Sequence, residues 1–243
     1  MSTILSVDRA SRRFAGLVAV DSVSFAMQRG EILSLIGPNG AGKTTLFNLI
    51  SGQLRPSDGT ITFRDTRIET LPPHARAQRG IGRTFQIAKP LIGLTARENV
   101  MVGAFLRHVA HDAAYRAAGE VLAEVGLAAR ADVPAAELTL SERRRLEVAR
   151  ALALEPELIL LDEVMAGLNA TEIGQVIDLI QRLNVRGMTF LVIEHNLKVV
   201  RTFSQRLIVL DHGAKIAEGT AADVLSDPQV VRAYPGKKHG SAA

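Results

Sequence analysis

Apolar positions change their spacing twice along the chain. Up to residue 65 they follow strand spacing: Ala19–Phe25 alternates, Glu31–Ile36 is a strand entering a glycine loop, and Thr60–Arg64 alternates again after the turn signal Ser57-Asp58-Gly59. Thr45–Ile50 leaves the glycine loop as a predicted helix. From about Leu91 to Ala153 alanine-rich helical spacing takes over, in Ala113–Val125 and Ser141–Ala153, with Gly126 and Asp132-Val133-Pro134 as punctuation. Strands and helices then alternate. Leu158–Asp162 is a continuous apolar run, as expected of a parallel strand buried on both faces. Glu172–Val185 sets Ile173, Val176, Ile177, Ile180 and Leu183 on one helical face. Thr189–Glu194 and Arg206–Asp211 read as strands, and Asp211-His212-Gly213 turns the second back into Ala214–Ala217. This order predicts an α/β fold with a mostly parallel sheet.

Composition narrows the chemistry. The chain has 243 residues and no cysteine, which removes disulfides, Cys-ligated zinc, iron–sulfur clusters and thiol catalysis. With no Trp and 4% aromatic residues, the core must be aliphatic. A net charge of +4 permits nucleic acid, phosphate or anionic lipid as partners. Its densest basic run, Arg143–Arg145, sits in a helical pattern, and no nucleic-acid partner is expected. The start, MSTILSVDRA, lacks the basic and apolar regions of a signal peptide. No apolar run is long enough to span a bilayer. A cytoplasmic setting is expected, with membrane attachment through a partner left open.

The glycine loop carries the first chemical signal. Gly37-Pro38-Asn39-Gly40-Ala41-Gly42-Lys43-Thr44-Thr45 matches G-x-x-x-x-G-K-[ST], between a strand and a helix as that motif requires. Glycines let the backbone wrap a phosphate, successive N–H groups form an anion nest, and the helix N-terminus adds its dipole. Lys43 is expected to reach the β- and γ-phosphates, and the Thr44 hydroxyl to ligand Mg²⁺. A second signal follows at Leu158-Ile159-Leu160-Leu161-Asp162-Glu163. A buried strand delivering Asp162 at its tip suits a carboxylate in the outer coordination sphere of Mg²⁺. Glu163 beside it suits a base that orients the attacking water.

Several P-loop families could own both motifs. A GTPase would need an N-K-x-D guanine reader, and none occurs. From about Leu5 to Gly236 the chain resembles the nucleotide-binding subunit of an ABC transporter. More narrowly, it resembles the ATPases of branched-chain (hydrophobic) amino-acid importers. That likeness rests on Phe14-Ala15-Gly16-Leu17-Val18-Ala19-Val20, Leu71-Pro72-Pro73-His74, Gly82-Arg83-Thr84-Phe85-Gln86, Glu98-Asn99-Val100-Met101-Val102-Gly103 and Arg232-Ala233-Tyr234.

The resemblance implies a RecA-like P-loop core with an N-terminal antiparallel β subdomain and an inserted helical subdomain. Residues 1–86 and 157–234 would form the core with its β subdomain, 87–156 the helical part, and 235–243 a loose tail. It implies ATP and Mg²⁺ as ligands, with Thr44, Gln86 and Asp162 toward the metal. Phe14 falls where an aromatic ring stacks on adenine, a place more often held by Tyr. Gln86 falls on the glutamine loop and His195 on the switch histidine that holds the γ-phosphate. Asn169, in Ala166-Gly167-Leu168-Asn169, stands in a loop crossing the dimer interface where Asp is more usual. Two cassettes would close around two ATP molecules. The partners would be a second ABC ATPase subunit, transmembrane permease subunits and, indirectly, a solute-binding protein, at the cytoplasmic face of the inner membrane. Ala88–Arg97 is expected to line the groove that receives a permease helix. Rival readings are a non-transport ABC ATPase of DNA repair or translation, and a regulatory module with little hydrolysis. The former commonly carries two cassettes or a long coiled coil, and the intact Lys43, Gln86, Asp162, Glu163 and His195 oppose the latter.

One segment departs from the family pattern. The signature, usually close to L-S-G-G-Q, reads Leu138-Thr139-Leu140-Ser141-Glu142 here. Thr139 keeps a hydroxyl, Ser141 replaces a glycine, and Glu142 replaces a neutral amide. The same residues spell a capping box, Thr139-x-x-Glu142, for the helix that follows. Glu142 would then satisfy that helix N-terminus itself and weaken its pull on a partner's γ-phosphate. Such asymmetry suits a heterodimer better than a homodimer.

Overall fold

The computed structural model describes residues 2–84 and 90–234. Three strands buried at every position organise it: β3 (Ile32–Ile36), β7 (Leu158–Asp162) and β8 (Thr189–Ile193). The side chains of β7 and β8 alternate between two hydrophobic clusters. Leu158, Leu160, Leu191 and Ile193 join one face; Ile159, Leu161, Phe190 and Val192 join the other. A run apolar at every position is thus satisfied only in the middle of a covered sheet. With β6 (Ile81–Arg83), β9 (Arg206–Asp211) and β10 (Ala214–Gly219) they make a six-stranded sheet in the order β10-β9-β3-β8-β7-β6. All neighbours are parallel except the β9–β10 hairpin.

The N-terminal strands form a separate antiparallel sheet, β2-β1-β4-β5, from β1 (Thr3–Phe14), β2 (Leu17–Gln28), β4 (Asp58–Phe63) and β5 (Thr66–Arg67). Its apolar side shares a core with α1 (Lys43–Ser51) and one face of the large sheet. On the other face, α3 (Ala96–Ala104), α4 (His111–Glu124) and α5 (Leu140–Leu152) share a cluster with α6 (Ala170–Val185) and the strands. Ala114 and Ala118, fully buried on α4, belong to that cluster. A Cβ on Gly103 would stand 2.8 Å from the Arg150 carbonyl, so α3 lies hard against α5. Short helices complete the chain: α2 (Pro73–Gln78), α7 (Leu197–Phe203), α8 (Ala221–Ser226) and α9 (Pro228–Ala233). The spacing of apolar residues did not mark β1, α2, α3 or α7–α9. The short helices α2, α7, α8 and α9 span six or seven residues, too few for a helical period to repeat.

A buried charge ties α1 in place. Arg76, 1% exposed, donates from Nη1 to the carbonyls of Leu49 (2.5 Å) and Ile50 (2.8 Å) and from Nε to Leu71 (2.9 Å). Its guanidinium therefore satisfies carbonyls at the C-terminus of the helix that begins at the phosphate loop. Burial pushes its pKa down to about 10, with Glu69 opposing.

Candidate nucleotide site

The chain leaves β3 at Ile36 and turns into α1 through Gly37–Gly42. Two of these glycines are fixed by space as well as by conformation. At Gly37 (φ +152°) a Cβ would stand 2.2 Å from the Leu210 carbonyl oxygen; at Gly42 (φ +98°) it would stand 2.4 Å from that of Ala19. The loop is thus wedged between the ends of β9 and β2, and only glycine fits. The Lys43 ammonium donates to the carbonyls of Gly37 and Pro38 at 2.8 Å each. Burial pulls its pKa down, opposed by the nearby charges of Glu163 and Asp162, which brings both sequence motifs into one electrostatic site. No side chain caps the start of α1 and no acid lies in its first turn. Those amides stay available to an anion.

Asp162 ends β7, 1% exposed. Burial pushes its carboxyl up; Arg83, whose Nη2 lies 3.4 Å from Oδ2, opposes this, and Glu163 adds to it. The buried Oδ1 has no hydrogen-bond partner among the described residues. A carboxylate oxygen without a donor, facing the same site as the Lys43 loop, fits a divalent cation. Thr44 lies at the exposed start of α1. Glu163 follows with φ +49°, a left-handed conformation that a non-glycine residue adopts only when its surroundings impose it. Here its N–H donates to the Ile193 carbonyl at 3.0 Å, stitching the turn after β7 to the end of β8. His195, two residues beyond β8, places Nδ1 3.9 Å from Glu163 Oε1. Gln86 lies outside the described residues, as do Ala88 and Lys89 of the expected permease groove. Within the rest of that stretch, Leu91 and Ile92 are exposed.

Phe14 ends β1 and is 39% exposed. It lines a cavity of about 530 Å³ with Leu17, Val18, Thr44, Thr45 and His212. A larger cavity of about 1090 Å³ lies at the opposite, N-terminal end of the parallel strands, where Pro156 and Met188 precede β7 and β8. Four of the side chains that line it are paired, Arg186 with Glu124 and His108 with Glu155.

At the signature, Thr139 accepts from the Glu142 N–H (3.2 Å) and Glu142 accepts from the Thr139 N–H (2.8 Å), so the expected capping box is formed. Glu142 also meets Arg130 at 3.0 Å, an offsetting charge not anticipated from the sequence. Asn169 caps α6 through the Glu172 N–H at 3.0 Å. Sequence reasoning passed over three residues of the site: Arg83, His212 and Glu194. Glu194 is 1% exposed and accepts from the Met165 N–H at 3.2 Å. Its signal was a carboxylate ending an apolar strand, beside a histidine already singled out.

A phosphate loop on a parallel α/β core, an acid pair at the end of β7 with only β8 between it and β3, and an antiparallel subdomain beside the core define an ATP-binding cassette. The comparisons with known proteins agree. Residues 20–166 match the family described as ABC transporter, and residues 214–234 match one described as branched-chain amino acid ATP-binding cassette transporter. The high-affinity branched-chain amino acid transport ATP-binding protein LivG of Salmonella typhimurium is 39% identical, over 96% of this chain and 98% of its own. BraF of Pseudomonas aeruginosa, described in the same words, is 36% identical over the same shares. The lipopolysaccharide export system ATP-binding protein LptB of Haemophilus influenzae is 35% identical over 97% and 98%. A crystal structure of the ADP conformation of MJ1267, an ATP-binding cassette of an ABC transporter, superposes with a TM-score of 0.89 at 31% identity, covering 98% of this chain and all of that one. The chain belongs to the ABC transporter family of ATP-binding subunits. It binds ATP with Mg²⁺ and hydrolyses it.

Proposed function

We propose that the chain powers a membrane importer of branched-chain or other hydrophobic amino acids, held by permease subunits at the cytoplasmic face of the inner membrane. The match over residues 214–234 carries the solute class, because identities of 39% to an importer subunit and 35% to an exporter subunit lie close together. In this reading Phe14 stacks on adenine, backbone N–H groups between residues 39 and 45 hold the phosphates, and Lys43 neutralises their charge. Glu163 takes a proton from the attacking water, and His195 holds the γ-phosphate for in-line attack. Thr44, Gln86 and Asp162 would hold Mg²⁺, which would supply charge neutralisation at the phosphates. Leu91 and Ile92, with the rest of Ala88–Arg97, meet a permease helix.

Reconstitution with permease, second cassette and binding protein tests the solute. Leucine-loaded binding protein should stimulate hydrolysis and uptake; stimulation by lipopolysaccharide alone refutes it. Lys43→Ala should abolish ATP binding or hydrolysis, while Glu163→Gln should bind ATP and trap a closed dimer. Normal turnover in Glu163→Gln would reassign the base.

The signature segment favours a heterodimer. The Thr139 and Glu142 amides are already engaged within the capping box. Hydrogen bonds from Thr139 and the Arg130 charge hold the Glu142 pKa down against burial, so the group stays anionic. A partner's γ-phosphate arriving at α5 meets that charge, offset in part by Arg130. The other composite site, with this chain's Lys43 and a partner's signature, does not. Mixing wild-type and Glu163→Gln subunits of each kind should give unequal losses of hydrolysis; equal losses count against the asymmetry.

A further inference from the structure

Arg12 and Phe14 stand two positions apart on β1, and the guanidinium lies over the ring with Cζ 4.6 Å from its centroid. Arg12 Nη1 donates to the Arg55 carbonyl at 2.9 Å, which anchors the side chain to the turn before β4. Its Nε is buried with no hydrogen-bond partner among the described residues. An N–H that meets no oxygen is understandable when the guanidinium is pressed on a π-face. Phe14 lines the nucleotide cavity, and Arg12 is not among that cavity's walls. The ring therefore stands between the guanidinium and the space beside the phosphate loop.

We propose that Arg12 is a positioning residue for the adenine base: it backs the Phe14 ring and leaves the opposite face as the stacking platform. The inference rests on the reading of Phe14 as that platform. A phenyl ring has no hydroxyl by which to be held, so packing alone sets its orientation. Arg12, tethered at Arg55, supplies the wall on the side away from the cavity. A cation on one face also draws π-density toward itself, and the less electron-rich opposite face stacks better on a purine.

The test is calorimetric binding of Mg-ATP and of magnesium tripolyphosphate, which lacks the base, to the full-length chain. Arg12→Ala should weaken ATP about three- to ten-fold and leave tripolyphosphate unchanged. Arg12→Lys should restore most of the loss. In a Phe14→Leu background Arg12→Ala should add nothing, because the two side chains act as one unit. In hydrolysis assays KM for ATP should rise while turnover at saturating ATP is kept. If alanine impairs folding, Arg12→Gln, which can still donate to the Arg55 carbonyl, takes its place. Equal weakening of both ligands would overturn the inference, since it would report damage to the phosphate loop. Unchanged ATP binding in Arg12→Ala beside a clear loss in Phe14→Leu would overturn it and leave the Phe14 reading standing. Unchanged ATP binding in Phe14→Leu would remove both.

Discussion

Glu194 should make the stability of this protein fall as pH rises through neutrality. Its carboxyl sits between the turn after β7 and His195, 1% exposed. Burial pushes its pKa from 4.5 up to about 7, opposed by the backbone N–H groups of Met165 and His195 and reinforced by Glu163. The nearby cation Arg144 is shared with Glu147, 3.8 Å away. A carboxyl whose folded pKa is raised keeps a proton that the unfolded chain releases. Its penalty is absent below the unfolded value, grows between pH 4.5 and about 7, and is complete above that. A gap of roughly 2.5 units at about 1.4 kcal/mol each sets the ceiling at about 3.5 kcal/mol. Glu194→Gln keeps the shape and an acceptor for the Met165 N–H but cannot ionise. Wild type and variant should therefore lie within about 1 kcal/mol at pH 5, and the variant should lead by about 3 kcal/mol at pH 8.5. For a chain of this size that is a rise in Tm of about 6–12 °C. Thermal melts of both proteins across that range measure it. A Tm difference that stays constant from pH 5 to pH 8.5 would refute the reasoning.

Arg76→Met should lower stability by about 3 kcal/mol in urea unfolding, because the Leu49 and Ile50 carbonyls lose charge-assisted donors inside the core. Arg83→Ala should shift the acid limb of Mg-ATP binding to higher pH. Arg83 is the main charge holding the Asp162 carboxyl down against burial, so without it Asp162 takes up a proton sooner. Calorimetric titrations between pH 5 and pH 8 would read the shift; coincident pH profiles would refute it.

The chemistry most legible in the sequence was local. Gly37–Thr45 announces a phosphate loop because strand, turn and helix follow one another within a few residues, and Gly37 and Gly42 stand where a Cβ would strike the Leu210 and Ala19 carbonyls. Leu158–Glu163 was readable for the same reason: a strand apolar on both faces must lie inside the sheet, so the first acid after it emerges at the sheet's end. The capping box at Thr139 could be read from a spacing of three. The strand β1 was harder, because Arg9, Arg12 and Arg13 interrupt its apolar positions and its pairing with β2 carries several register shifts.

What escaped the sequence was the set of polar ties that fixes these motifs relative to one another. Arg83 donates to Asn48 and Ser51 on α1 at 2.7 and 2.6 Å while lying beside Asp162. It thus joins the helix that follows the phosphate loop to the strand that delivers the acid. Glu163 is stitched to Ile193, and Met165 to Glu194, so the candidate base and the segment leading to His195 are held as one piece. These partners lie 29 to 79 residues apart in the chain. Polar contacts at such separations obey no period, since each depends on where two independently formed elements come to rest. Apolar periodicity therefore locates the strands and helices that carry the chemistry. Only the folded structure reveals the buried guanidinium and carboxylates that set the distances between them, and the response of this site to pH lies in those groups.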